Sequence, residues 1–363
     1  MADTSFDSSL QVQQWQQSFY TEYVRGSRFG RYTGSDNNKV IQLVMDLSRK
    51  RGDTITVQLV TRLTGAGITG DNTLKGNEES LGNYGDAIVV DQLRNAVRRG
   101  EMEQQKGNID ILNAARVQLK KWAMEQLRDD IIARMLSPNL DGLTTYASSS
   151  ETDKDTWLDS NTDRVVFGAA LGNLDSAGGL GPSGSDHSDS LAAVDSAADV
   201  LSPTVVSLAK RAARDADPHI QPITVAEDEE WYIMFVNKWA FRDFKTSTDY
   251  ENAARDAAAR GKNNPLFRDG DLMWDGVILR EIPEIGVITG VGAAGIDVAP
   301  NFLCGAQAVG IAWAMTTQAV MDTDDYGNLK GVGIREIRGV QKLFFNSVQH
   351  GMLTLYTSGV ADT

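Results

Sequence analysis

Two six-residue runs in this chain have the spacing G-x-G-x-x-G: Gly65, Gly67 and Gly70, and again Gly290, Gly292 and Gly295. That spacing lets a backbone approach a dinucleotide pyrophosphate where a helix begins. Neither run is followed by a helix signal. After Gly70 comes DNTLKGNEE, which is turn material, and after Gly295 comes IDVAP, whose proline arrives too soon. With 34 glycines in the chain, chance matches are expected. Both runs read as flexible loops.

The remaining candidates for chemistry fail on their own terms. His187, His219 and His350 are far apart with no partner at metal-ligand spacing, and read as surface or loop histidines. Residues 322–327 begin like a calcium loop. However, Tyr326 stands where an oxygen donor is needed and Gly333 where the closing glutamate belongs, so a turn is expected. Ser207 and Lys210 match S-x-x-K without the rest of that catalytic set. Cys304, the single cysteine, sits in an apolar run and reads as a small core residue. It leaves no disulfide framework or thiolate metal cluster within one chain. Carboxylates are plentiful, but nothing selects a pair for acid–base work. The chain is therefore read as no enzyme, with no catalytic, cofactor-binding or metal-binding residue assigned.

Composition narrows the class further. Hydrophobic residues make up 41% and charged residues 23%, as in an ordinary folded soluble protein, and 363 residues suffice for two domains. No apolar run approaches the ~20 residues that cross a bilayer. The first residues lack the basic start and apolar middle of a signal peptide, so synthesis in a cytoplasm is expected. A net charge of −14 argues against a binder held by phosphate contacts. It suits a container wall that must not stick to packed DNA, and equally suits plain solubility.

The elements are more telling than the motifs. In residues 51–79, Ile55, Val57 and Leu59 alternate with Thr54, Thr56 and Gln58, the period of a half-buried strand, before a glycine-studded polar stretch. A second run, 87–93, can return antiparallel. Such a two-stranded ribbon is marginal alone in water and needs cover, for which another copy of the chain is the natural source. Residues 1–38 are polar with scattered rings (Trp15, Phe19 and Tyr20 among them), as in an arm that docks on a neighbour or a helix packed on its own domain.

Residues 101–136 carry apolar side chains at steps of three and four and predict one helix, on the order of 50 Å long at 1.5 Å per residue. Residues 144–190, rich in Ser, Gly, Asp and Thr, predict an irregular insertion. Residues 190–216 predict helix interrupted near Pro203. Residues 231–240 predict a strand covered on both faces, and 249–260 a helix. Further strand-like runs are 276–282 and 304–315, and 339–345 and 351–357 read as short alternating strands.

In order along the chain, GDTITVQLVTRLTGAGITGDNTLKGNEE (52–79), DQLRNAVR (91–98), WYIMFVNKWAFRDF (231–244), RGKNNPLFRDGDLMWDGVILREIPEI (260–285), LCGAQAVGIAWA (303–314) and DYGNLKGVGIREIRGVQKLFFN (325–346) resemble the phage N-four-type family of major capsid proteins. The resemblance covers most of the chain apart from the first arm and residues 144–190. It implies an α+β chain of the Hong Kong ninety-seven phage-type capsid fold. Residues 1–50 would be an N-terminal arm and 51–95 an extended β-hairpin loop lying over a neighbouring subunit. Residues 96–215 would be a peripheral domain with spine helix 101–136 and the 144–190 insertion. Residues 216–322 would be an axial domain, and 323–363 would return to the peripheral domain.

The implied function is that of a major capsid protein of a tailed double-stranded DNA bacteriophage, located in the virion and assembled in the host bacterial cytoplasm. Its partners would be itself, in pentamers and hexamers of an icosahedral shell, with portal and scaffolding proteins, and cement proteins as an optional addition. It would enclose DNA without sequence-specific binding and contact no membrane. Trp15, Phe19 and Tyr20 are expected to dock the arm, and Ile55, Val57, Leu59 and Leu63 to pack the ribbon against a neighbour. An encapsulin-like compartment shares this fold and encloses enzymes instead, and a dinucleotide-binding enzyme is the reading of a different class.

Overall fold

The computed structural model describes residues 28–45, 52–63, 65–106, 111–169, 183–225, 229–258 and 271–360. Trp15, Phe19 and Tyr20 lie outside these residues, as does most of the expected arm. In chain order the described strands are β1 (Thr33–Gly34), β2 (Ile41–Val44), β3 (Thr54–Val60), β4 (Asn83–Val89), β5 (Asp91–Gly100), β6 (Val165–Phe167), β7 (Ile223–Val225), β8 (Glu229–Val236), β9 (Asp271–Trp274), β10 (Val277–Glu281), β11 (Val298–Cys304), β12 (Val309–Asp324), β13 (Leu329–Lys342), β14 (Phe344–Phe345), β15 (Val348–Gln349) and β16 (Met352–Ser358). The helices are α1 (Glu101–Lys106), α2 (Ile111–Met135), α3 (Glu151–Ser160), α4 (His187–Ala192), α5 (Pro203–Asp215), α6 (Lys238–Thr246) and α7 (Thr248–Ala258).

Among the described residues, strands β1-β2-β12-β13-β5 form one sheet. Its spine is the β12/β13 hairpin, 16 and 14 residues long, turned by Asp325 and Tyr326 at positive φ. The calcium-like stretch is thus a hairpin turn, as its missing donors indicated. Helix α2 lies across this sheet. Ala115, Leu119, Ala123, Leu127, Ile131 and Met135 recur every four residues and are all buried, so one stripe faces Ile311, Trp313, Val332, Ile334 and Val340. At 25 residues α2 spans about 37 Å by the standard rise. The expected single helix over 101–136 is described as two pieces, α1 and α2, with 107–110 outside the described residues.

The second sheet runs β6-β16-β11-β8-β10-β9, with β7 on β8. Helices α5 and α6 cover one face through Val205, Val206, Ala209, Phe241 and Phe244. The other face joins the first core, where Phe29 meets Phe235 edge-on at 5.0 Å. Strand pairing crosses the expected divisions at 216 and 322: β6 and β16 enter the sheet built on β8, and β12 continues beyond 322.

Several local expectations change. The strand returning from the ribbon is β4 (Asn83–Val89), and the 91–100 segment instead pairs with β13. Residues 144–190 are not irregular throughout. Helix α3 starts in a capping box of Ser150 and Asp153, and β6 is fully buried beside β16, because polar residues there cap helix ends rather than fill loops. Pro203 begins α5 at its first turn, where a missing N–H costs nothing, with Ser202 as cap. The 231–240 run breaks at Asn237, whose side chain accepts from Trp239 N and starts α6. Strand β16 is buried at every position, not alternating, because sheet neighbours and helices cover both faces.

Candidate assembly surface

The ribbon is β3 and β4, paired antiparallel from Thr54↔Val89 to Val60↔Asn83. Period-two alternation puts Ile55, Val57 and Leu59 on one face, and their burial falls outward along the strand. Ile55 is buried, and with Ile88 it packs on Ala312, Leu343 and Phe345 of the same chain, while Val57 and Leu59 are partly covered there. Gly339 makes this approach possible, since a Cβ at that position would collide with Val89 O. Asp86 fastens the root: its carboxylate accepts from Phe344 N and from Gln341 Nε2, both at 2.9 Å. Burial raises the Asp86 pKa, and those hydrogen bonds oppose the rise.

Beyond the root the ribbon leaves the body. Thr61 N still donates to Gly82 O at 2.9 Å, and from there to Leu81 the described residues are almost all exposed. The tip is held by its own short-range bonds: Gly65 N to Glu79 Oε2 (2.8 Å), Gly76 N to Glu78 Oε2 (2.7 Å) and Asn77 Nδ2 to Thr73 O (3.0 Å). Leu63, Leu74 and Leu81 are each about three-fifths exposed, at 61%, 61% and 59%. These exposed leucines make the tip a candidate contact surface.

The first G-x-G-x-x-G run lies in this tip, with Gly67 and Gly70 at positive φ. The second lies in a short 3-10 turn, Ala293–Gly295, with no helix behind it. Neither has the helix N-terminus that a pyrophosphate site requires. Among the described residues no group of three metal-ligating side chains converges, and no helix is long and apolar enough to cross a membrane. Lys210 of the S-x-x-K match is tied to Asp275 Oδ1 at 2.9 Å. Cys304 is buried, and burial pushes its thiol pKa up, away from reactivity.

Two buried groups had no sequence signal. His187 is not a surface histidine: it is fully buried, ringed by Tyr146, Trp157, Phe167 and Tyr356, with Nε2 3.3 Å from the Tyr356 hydroxyl. Desolvation, helped by the nearby Lys154 charge, lowers its pKa to about 4. His350 is half-buried and His219 exposed. Lys342 is also buried, donating to Ser137 O (2.7 Å) and Gln349 Oε1 (3.2 Å). Burial lowers its pKa to about 7.

The family described as phage capsid protein matches residues 3–360. The major capsid protein of Pseudomonas phage KPP25 is 27% identical over 361 residues, covering 92% of this chain and 89% of that one. Among solved structures, the capsid asymmetric unit of cyanophage Pam1 is similar with a TM-score of 0.83 and 34% identity, over 100% of both chains. The capsid of Ralstonia phage GP4 follows with a TM-score of 0.72 and 24% identity, over 93% of this chain and 92% of that one.

Proposed function

The chain belongs to the phage capsid protein family, and from that premise we propose how this major capsid protein of a tailed phage builds its wall. The α+β architecture is the Hong Kong ninety-seven phage-type capsid fold. The role is structural. Identical copies associate as pentamers and hexamers and close into an icosahedral shell around double-stranded DNA. Each copy reaches onto the next with its ribbon and its N-terminal arm, the latter through Trp15, Phe19 and Tyr20. Portal, scaffolding and cement proteins are the further partners, and assembly takes place in the host bacterial cytoplasm.

One observation carries this reading: the ribbon root is built into its own subunit, while the tip presents Leu63, Leu74 and Leu81 to water. The inner residues, Ile55 above all, therefore set the direction of the ribbon, and Leu63 and the tip make the contact. Many copies of a weak apolar contact add into a stable wall. The test replaces residues 62–81 with a two-residue Asn-Gly turn, which keeps the root intact. The expected product is a folded, soluble subunit that forms no closed shells. Normal shells in electron micrographs would overturn the reading.

A further inference from the structure

His187 is the first residue of α4, a helix of six residues, and its ring fills a cage at the corner where α3, α4, β6 and β16 meet. Tyr146, Trp157, Phe167 and Tyr356 surround it with ring centroids 5.6–6.0 Å away. Its one polar contact is with the Tyr356 hydroxyl, 3.3 Å from Nε2. The other ring nitrogen, Nδ1, is buried with no hydrogen-bond partner among the described residues, and so is Trp157 Nε1.

Every carboxylate near the cage is engaged elsewhere. On α3, Glu151 takes Lys154 Nζ at 2.8 Å, and Asp155 accepts the backbone N–H of His187, not its ring, at 2.9 Å. At the start of α4, Asp186 accepts from Asp189 N and from the Ser188 hydroxyl, and Asp189 itself is exposed. β6 and β16 present only Phe167 and Tyr356 to the ring. The nearest cations stand behind the cage walls, Lys154 Nζ 4.6 Å above Tyr146 and Lys342 Nζ 5.0 Å above Trp157. An imidazolium formed here meets no counter-charge and no water, and a buried charge without either is costly.

The walls are not equally firm. Phe167 and Tyr356 face each other in register across paired strands. The end of α3 is riveted by Asn161, which donates to Ser347 O at 3.2 Å and accepts from Gln349 N at 2.8 Å. Helix α4 is too short to persist alone, and the bond from His187 N to Asp155 joins it to α3. Where the ring must reach water, α4 is the wall that yields.

We propose that α4 is a proton-operated latch: the neutral His187 ring seats it in the cage, and protonation releases it, uncovering Trp157 and Tyr146 while both sheets stay folded. Burial first, then the Lys154 charge, holds the seated ring at a pKa of about 4 against an ordinary 6.5, with Glu151 and Asp186 acting in the opposite sense. The released form therefore binds the proton first as pH falls. Its population gains about tenfold per pH unit between 6.5 and 4, and levels off on either side. The latch acts within one subunit and is independent of the ribbon contact.

The test is amide exchange on full-length subunits, with rates normalised to those of an unfolded chain at each pH. Protection at Ser190 and Leu191 should fall about fiftyfold from pH 7 to pH 4.5, and low urea should leave it unchanged, because release exposes little surface. Leu119 and Leu127 of α2 should stay far better protected and respond steeply to urea. His187→Phe should abolish the acid dependence at Ser190 and Leu191. Exchange of α4 at the same rate and urea dependence as α2 would overturn the latch, since the corner would then open only on global unfolding. Should His187→Phe not fold, the chain carrying His219→Gln and His350→Gln leaves His187 as the single histidine. A ring titration midpoint below pH 5 in that chain supports the latch, and one near 6.5 overturns it.

Discussion

Asp86 and Phe344 are 258 residues apart in sequence and joined at 2.9 Å, the Asp86 carboxylate accepting the Phe344 backbone N–H. This bond ties the returning strand of the ribbon to β14 in the body. Asp86→Ala leaves the Phe344 N–H and the Gln341 amide without their acceptor, and an unsatisfied buried donor costs about 1–3 kcal/mol. The expected result is a subunit less stable by about 2 kcal/mol in urea unfolding, with faster hydrogen exchange at Phe344. Asp86→Asn keeps one acceptor oxygen, enough for the Phe344 N–H or the Gln341 amide but not both, and should fall between Asp86→Ala and wild type. An unchanged exchange rate in Asp86→Ala would separate this bond from the ribbon's anchoring.

The ribbon residues divide into two kinds with opposite phenotypes. Ile88 and Ile55 are buried at the root, and truncating either to Ala should cost the isolated subunit about 2–4 kcal/mol. Leu74→Asp and Leu81→Asp change exposed positions and should leave subunit stability within about 0.5 kcal/mol. Their effect should appear only in assembly, read by light scattering and electron microscopy.

Gly339→Ala places a methyl group against the Val89 carbonyl, and the ribbon root must shift to admit it. Forced overpacking of this kind costs about 1–3 kcal/mol. A thermal melt of the variant should show the loss. Wild-type stability would mean that the root yields freely.

His187 gives the subunit an acid sensitivity. Its folded pKa of about 4 lies below the ordinary value of 6.5, so the unfolded chain takes up the proton first as pH falls. Stability is therefore lost between about pH 6.5 and 4 and levels off below, by up to about 3 kcal/mol from this group. His187→Phe should flatten that part of the profile relative to wild type in urea melts at pH 7, 5.5 and 4. Parallel profiles would place the acid sensitivity elsewhere, with the half-buried His350, also lowered to about 4 chiefly by burial, as the next group to replace.

Lys342 acts in the alkaline range. Burial lowers its pKa from 10.5 to about 7, so the unfolded chain binds more protons between those values and stability rises with pH across that window. Wild type should be more stable at pH 9 than at pH 7 by about 2 kcal/mol from this group, and Lys342→Met should lose that slope. Equal slopes in the two chains would show that the amine is no longer proton-deficient in the fold.

Local periodicity was enough to read α2 and the outgoing strand of the ribbon, but not the bounds of its return strand. A four-residue recurrence over Ala115 to Met135 and a two-residue alternation over Thr54 to Leu59 are properties of the segments themselves, visible before anything packs on them. The failure of the two glycine runs as nucleotide sites was equally local, because a missing helix start is legible from the next few residues. The six ordered segments also carried the family resemblance.

Other features depended on residues remote in sequence. Which ribbon residues are covered follows from Leu343 and Phe345, far down the chain, and the burial of His187 follows from Tyr146 of a turn, Trp157 of α3, Phe167 of β6 and Tyr356 of β16 closing around it. Serine-rich composition around α3 suggested a loop, since a capping serine and a loop serine look alike until the helix they cap is in place. Period and turn chemistry are set by neighbours along the backbone. Cover and charge compensation arise only when distant strands come into register, and that alignment was decided in three dimensions.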